Sequence, residues 1–72
     1  MLSEGDKGAE VKELQLRLKQ VFFYFDDADG NYDSGVAQAV ANYQTARGIS
    51  GDEQGVYGAA TRARLESETT DP

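Results

Sequence analysis

Asp27, Asp29, Asn31 and Asp33 alternate along one acidic stretch. Oxygen ligands at that spacing are what the first four positions of a calcium-binding loop require. The rest of such a loop does not follow. Tyr32 stands where the loop needs a glycine for its sharp turn, and Gln38 where it needs a bidentate glutamate. The other register places Gly30 correctly but begins on Phe25 and ends on Val36. Turn formation and helix capping account for the same side chains, because Asp, Asn and Gly bond nearby backbone or admit positive φ. Neither a metal nor a cofactor is implied.

Nucleophilic and general-base chemistry lack their usual instruments. The chain has no histidine and no cysteine, which excludes Ser-His-Asp and Cys-His sets, zinc-thiolate sites and HExxH helices. Among thirteen Asp and Glu residues a carboxylate pair is conceivable, but it needs a deep pocket to raise one pKa, and 72 residues leave little room for one. A net charge of −6 argues against nucleic acid, whose phosphates require a basic face, and against anionic lipid. No apolar run approaches a membrane span, and Met1 to Gly5 lacks a signal peptide's basic and apolar regions. An export signal, if used, lies outside this chain.

What chemistry remains must be positioned by a small core of helices. Val11, Leu14, Leu18 and Val21 recur at one helical stripe. With Gly8 before them and Glu10 in the first turn, favoured there by the macrodipole, they predict a helix over 9–23, with Glu10, Lys12, Glu13, Arg17 and Lys19 on its solvated surface. Phe22 to Phe25 reads as an aromatic end to that helix, closing the core, with a ligand-stacking role for one of the rings, Tyr24 foremost, as the alternative. The Asp- and Gly-rich stretch 26–35 is a loop. Val36, Ala39, Val40 and Tyr43 then predict a second helix over 34–47, capped by Asp33 or Ser34 and stopped by Gly48 with Ile49 folding back. A second loop, 50–55, leads to a short helix over 59–66 carrying Thr61 and Leu65. The expected fold is all-α: a compact three-helix bundle with two turn-rich loops, residues 1–66, followed by a polar tail or linker, 67–72.

The two loop-to-helix passages repeat at an offset of twenty-five, pairing Gly30 with Gly55, Tyr32 with Tyr57, Val36 with Thr61 and Val40 with Leu65. In each, a glycine permits the bend and a ring staples the helix start. Three stretches together resemble the peptidoglycan-binding domain family. Gly5-Asp6-Lys7-Gly8-Ala9-Glu10-Val11-Lys12-Glu13-Leu14-Gln15-Leu16-Arg17-Leu18 is similar to its opening helix. Asp29-Gly30-Asn31-Tyr32 with Ala39-Val40-Ala41-Asn42-Tyr43-Gln44 is similar to its middle motif. Gly48-Ile49 with Gly55-Val56-Tyr57-Gly58-Ala59-Ala60-Thr61 and Leu65 is similar to its closing motif. The resemblance spans about residues 5–65. Asp33 and Val36 depart from the family's usual glycine and threonine, and Gln54 from its aspartate.

The resemblance implies a non-catalytic module that anchors a larger wall-acting protein to peptidoglycan by recognising stem peptide or glycan. It implies work outside the cytoplasm, as a monomeric unit of that protein. Gln15 and Gln44, beside the apolar stripes, are expected to bind loop backbone. Asp29, Asn31, Tyr32, Tyr57 and Arg62 are the expected ligand-binding rim, the rings stacking on sugar faces and Arg62 pairing with a stem-peptide carboxylate. The rival reading is a protein-docking module using an apolar patch on the first helix that includes Leu16 and Phe23. A small enzyme would instead require a deep pocket.

Overall fold

The computed structural model describes all 72 residues. Three helices form, α1 Ala9–Gln20, α2 Ser34–Arg47 and α3 Ala59–Glu68, with no strand beyond two isolated bridges. The all-α three-helix expectation holds, and α2 spans the residues its periodicity predicts.

Helix α1 ends three residues earlier than its apolar pattern predicts. Phe22 takes the left-handed conformation, φ 63°, and the turn closes by hydrogen bonds from the Phe22 N–H to the Lys19 carbonyl (3.2 Å) and from the Phe23 N–H to the Leu18 carbonyl (2.9 Å). Gly48 ends α2 in the same way at φ 67°, with the Ile49 N–H on the Gln44 carbonyl at 2.9 Å. A left-handed stop on phenylalanine carries no sequence signal, since glycine is the residue that adopts it without Cβ strain. The aromatic run therefore divides. Tyr24 is buried, and Phe23 packs edge-on against Tyr43 with ring centroids 5.4 Å apart. Phe22 and Phe25 are 76% and 78% exposed and close no core.

The core is a cluster in which Val11, Leu14 and Leu18 of α1 meet Val36, Val40 and Tyr43 of α2 and Leu65 of α3, with Tyr32 and Tyr57 inserted from the loops. Residues 2–8 lace the two loops together. The Leu2 and Tyr57 backbones exchange hydrogen bonds at 3.0 and 2.8 Å, the Tyr32 N–H donates to the Asp6 carbonyl at 2.9 Å, and the Gly8 N–H donates to the Gly30 carbonyl at 2.9 Å.

Arg17, expected on the surface, is only 5% exposed. Its guanidinium donates to Glu13 at 2.9 Å, Thr69 Oγ1 at 2.7 Å and Asp71 Oδ1 at 2.7 Å, while Gln20 and Thr70 exchange bonds at 2.8 and 3.0 Å. Helix α3 runs two residues past its predicted end, and residues 69–71 lie bonded to α1. A buried guanidinium must be paired, and the polar residues that follow α3 supply its partners.

Candidate functional site

Two buried glutamines organise the loops. Gln15 accepts the Gly30 N–H at Oε1 (2.8 Å), and its Nε2 donates to the Asn31 carbonyl (3.2 Å), Asp29 Oδ1 (3.0 Å) and Tyr24 Oη (3.3 Å). Gln44 does the same in the second loop, accepting the Gly55 N–H (2.9 Å) and donating to the carbonyls of Val56 (2.9 Å) and Glu53 (3.1 Å) and to Thr61 Oγ1 (3.0 Å). A primary amide presents one acceptor and two donors in a plane, which matches the N–H of one loop residue and the C=O of the next. Both loop glycines sit at φ 80°. Their expected role on loop backbone is thus found.

The departures between the two repeats compensate each other. Helix α2 is capped locally, with the Val36 N–H donating to Asp33 Oδ1 at 3.0 Å. Helix α3 has Gly58 at the matching position and takes its carboxylate from Asp52, whose Oδ2 accepts the Thr61 N–H (2.7 Å) and hydroxyl (2.6 Å). A Cβ on Gly58 would clash with the Asp52 carboxylate, so the glycine makes room for the distant cap. The Thr61 bonds hold the Asp52 carboxyl below the usual range, as the Gln15 amide does for Asp29. These two acids and Asp33 each make local polar bonds. No group of three or more acidic side chains converges on a point where an ion could sit.

The five residues of the expected rim do not form one exposed surface. Tyr32 is 2% exposed, its hydroxyl donating to the Gly55 carbonyl at 2.6 Å. Tyr57 is 5% exposed. Ring faces buried in the core cannot stack on a sugar, so that part of the expectation is corrected: each ring fills the space between its loop and the helices. Burial pushes both tyrosine pKa values up, Tyr57 to about 12. Tyr57 and Arg62 do meet, lining a notch with Leu2, Glu10, Glu13 and Leu14 whose volume is only about 10 Å³. The Tyr57 hydroxyl bonds to nothing in the chain, and every buried polar side-chain atom has a partner, so it reaches solvent there. Arg62 is tied by Nε to Glu66 at 2.9 Å. Asp29 and Asn31 lie together at the first loop, with the Asn31 N–H on Asp29 Oδ1 at 3.0 Å.

Larger concavities lie elsewhere. An open cleft of about 380 Å³ lies between the C-terminal half of α2 and the second loop, lined by Ala41, Gln44, Thr45, Gly48, Ile49, Ser50, Asp52 and Gln54. Sequence reasoning missed it, and the only signals for it were Gly48, which turns the chain away from α2, and the polar composition of the loop that follows. The Asp52 carboxylate and the negative end of the α2 dipole make it a place for ligand groups that donate hydrogen bonds, such as amides, hydroxyls and ammonium groups.

Comparison with known proteins gives this geometry its family. Residues 7–65 match the peptidoglycan binding domain family. The chain is 36% identical to N-acetylmuramoyl-L-alanine amidase CwlL of Bacillus licheniformis, over 85% of this chain and 18% of that protein. It is 36% identical to the spore cortex-lytic enzyme of Halalkalibacterium halodurans, over 96% of this chain and 20% of that protein. It thus spans about a fifth of each of these relatives. The crystal structure of the SleB N-terminal domain superposes with a TM-score of 0.87 at 36% identity, covering 96% of this chain and 92% of that one. With the match running through both amide clamps and all three helices, the chain belongs to the peptidoglycan-binding domain family.

Proposed function

We propose that this chain is a non-catalytic module that binds peptidoglycan, recognising stem peptide or glycan, and so holds a larger wall-acting protein on its polymer outside the cytoplasm. The observation that carries the reading is family membership across residues 7–65. The α2 cleft supports it. At about 380 Å³ it suits one or two sugar or amino-acid units, and Thr45, Ser50, Asp52 and Gln54 offer polar groups around it. Arg62 and the Tyr57 hydroxyl provide a second, smaller contact for a carboxylate, and Asp29 with Asn31 a third at the opposite loop. Tyr32 takes part by fixing the second loop through its bond to Gly55.

An amide-shift NMR titration with purified soluble muropeptides tests this. Shifts at Thr45, Ser50, Asp52 and Gln54, or at Tyr57 and Arg62, are expected. A folded sample with no shifts at millimolar ligand would defeat the reading and leave docking onto another protein as the better one.

A further inference from the structure

Gln20 repeats at the end of α1 what Gln15 and Gln44 do for the loops. Its Oε1 accepts the Thr70 N–H at 3.0 Å and its Nε2 donates to the Thr70 carbonyl at 2.8 Å. One planar amide thus reads both main-chain groups of a single residue. On the neighbouring turn of the same helix face, Arg17 Nη2 donates to Asp71 Oδ1 at 2.7 Å. A short peptide segment is held on α1 by a main-chain amide and by the carboxylate that follows it.

The cradle is fixed. Arg17 is 5% exposed, with Nε on Glu13 Oε2 at 2.9 Å from within α1 and Nη1 on Thr69 Oγ1 at 2.7 Å. Thr69 is itself tied to α3, its hydroxyl donating to the Leu65 carbonyl at 2.8 Å. That leaves Nη2 as the nitrogen whose partner comes from beyond the helices.

The occupant is held far less firmly. Unlike Gln15 and Gln44, which are buried, Gln20 is exposed, and so are Thr70 and Asp71. The Asp71 side chain is 98% exposed. Neither residue joins the core. Exposed ion pairs and hydrogen bonds of this kind hold weakly, whereas a covered guanidinium needs an acceptor. The family match ends at residue 65, so the cradle belongs to the shared domain and its occupant lies outside it. A stem peptide of the wall polymer offers the same two groups, main-chain amides and free carboxylates.

We infer that Arg17 and Gln20 form a peptide site on α1 for a segment carrying a free carboxylate beside a main-chain amide, and that Thr70 and Asp71 occupy it in competition with the stem peptide. The inference rests on the wall-binding reading and adds to it a site that shares no residue with the α2 cleft.

The test is an NMR titration of the full chain with three probes: free stem peptide, the same peptide amidated at its carboxylates, and wall glycan strands freed of peptide. The unmodified chain is compared with Asp71→Asn and with the double variant Thr70→Pro, Asp71→Asn. Asparagine removes the charge that faces Arg17. Proline removes the N–H that Gln20 accepts, and the extended backbone of Thr69, φ −128° and ψ 166°, suits a following proline. Both positions are exposed and outside the core, so the variants keep their helices, checked by circular dichroism. Stem peptide is expected to shift the Arg17 Nε–H and Gln20 side-chain amide signals and to move the amides of residues 70 and 71 toward unfolded positions. Its affinity should rise about threefold in Asp71→Asn and about tenfold in the double variant. The amidated peptide should leave those signals unmoved. Stem-peptide shifts confined to other residues, or equal affinity in the parent and the folded variants, would overturn the inference and leave the wall-binding reading standing. The same result from the amidated peptide, or shifts with glycan strands alone, would overturn it in the same way. No shift with any probe would remove the wall-binding reading and this inference together.

Discussion

Replacing Gln44 with alanine removes the partner of the Gly55 N–H, of the Glu53 and Val56 carbonyls and of one Thr61 lone pair at once. Buried polar groups left without partners are costly, so Gln44→Ala is expected to destabilise the fold by about 2–3 kcal/mol, measured by urea unfolding. A change below about 0.5 kcal/mol would show that water takes over the clamp. This role was legible in the sequence because a glutamine beside an apolar stripe is buried and must find partners. Arg17 was not legible, since nothing within α1 distinguishes a guanidinium that reaches solvent from one that will be covered by residues 52–54 positions later. Tyr32 and Tyr57 were half legible. Their place at the helix starts follows from the repeat, but whether a ring face points into a core or out of it depends on the chain packed over it, here residues 2–8.

At the scale of elements, the caps of α2 and α3 are two solutions to one problem, satisfying the N–H of the third helical residue. They should be interchangeable. Asp52→Ala is expected to cost about 1–2 kcal/mol through loss of the α3 cap. Adding Gly58→Asp to it should recover most of that, because the new carboxylate would stand to Thr61 as Asp33 stands to Val36. Thermal melting of the single and double variants reads the outcome, and a double variant no more stable than Asp52→Ala would show that Gly58 has a further role. The far ends of the same helices are joined by Glu68, which accepts bonds from Arg47 Nε at 2.9 Å and from the Tyr43 hydroxyl. Arg47, then Tyr43, lowers the Glu68 pKa to about 2 from 4.5. A depressed carboxylate pKa stabilises the fold fully above the unfolded value and loses that contribution as pH falls toward the folded one. The α2–α3 clasp is therefore expected to weaken between pH 4.5 and about 2. The Glu68 carboxyl carbon should titrate in that window by NMR, and the acid-induced loss of stability should be smaller in Glu68→Gln. The existence and order of the helices were legible from periodicity and glycine stops. The end of α1 was not, because a left-handed phenylalanine defeats the rule that places glycine there. The α2 cleft was not either, because its walls are set by how far the second loop stands from its helix.

For the whole molecule, a net charge of −6 on 72 residues works against loose attachment to an anionic wall. Raising salt from about 20 to 300 mM shortens the screening length several-fold. Retention on purified sacculi is therefore expected to hold steady or rise, whereas a steep fall would mark attraction through the few basic side chains. Shallow contacts give weak affinity, on the order of 1 mM, and tethering to a larger protein on a repeating polymer supplies the rest. Helix α2 receives the first loop through its Asp33 cap and holds the second through Gln44, while α3 contains no glutamine to clamp a further loop. Neither repeat can be completed without the helix they share, so there is no separable half to form early and wait. Stopped-flow refolding should show one exponential phase from every probe. Cleavage in the second loop should release two fragments with no lasting structure, making that loop the place where a single proteolytic cut switches the module off.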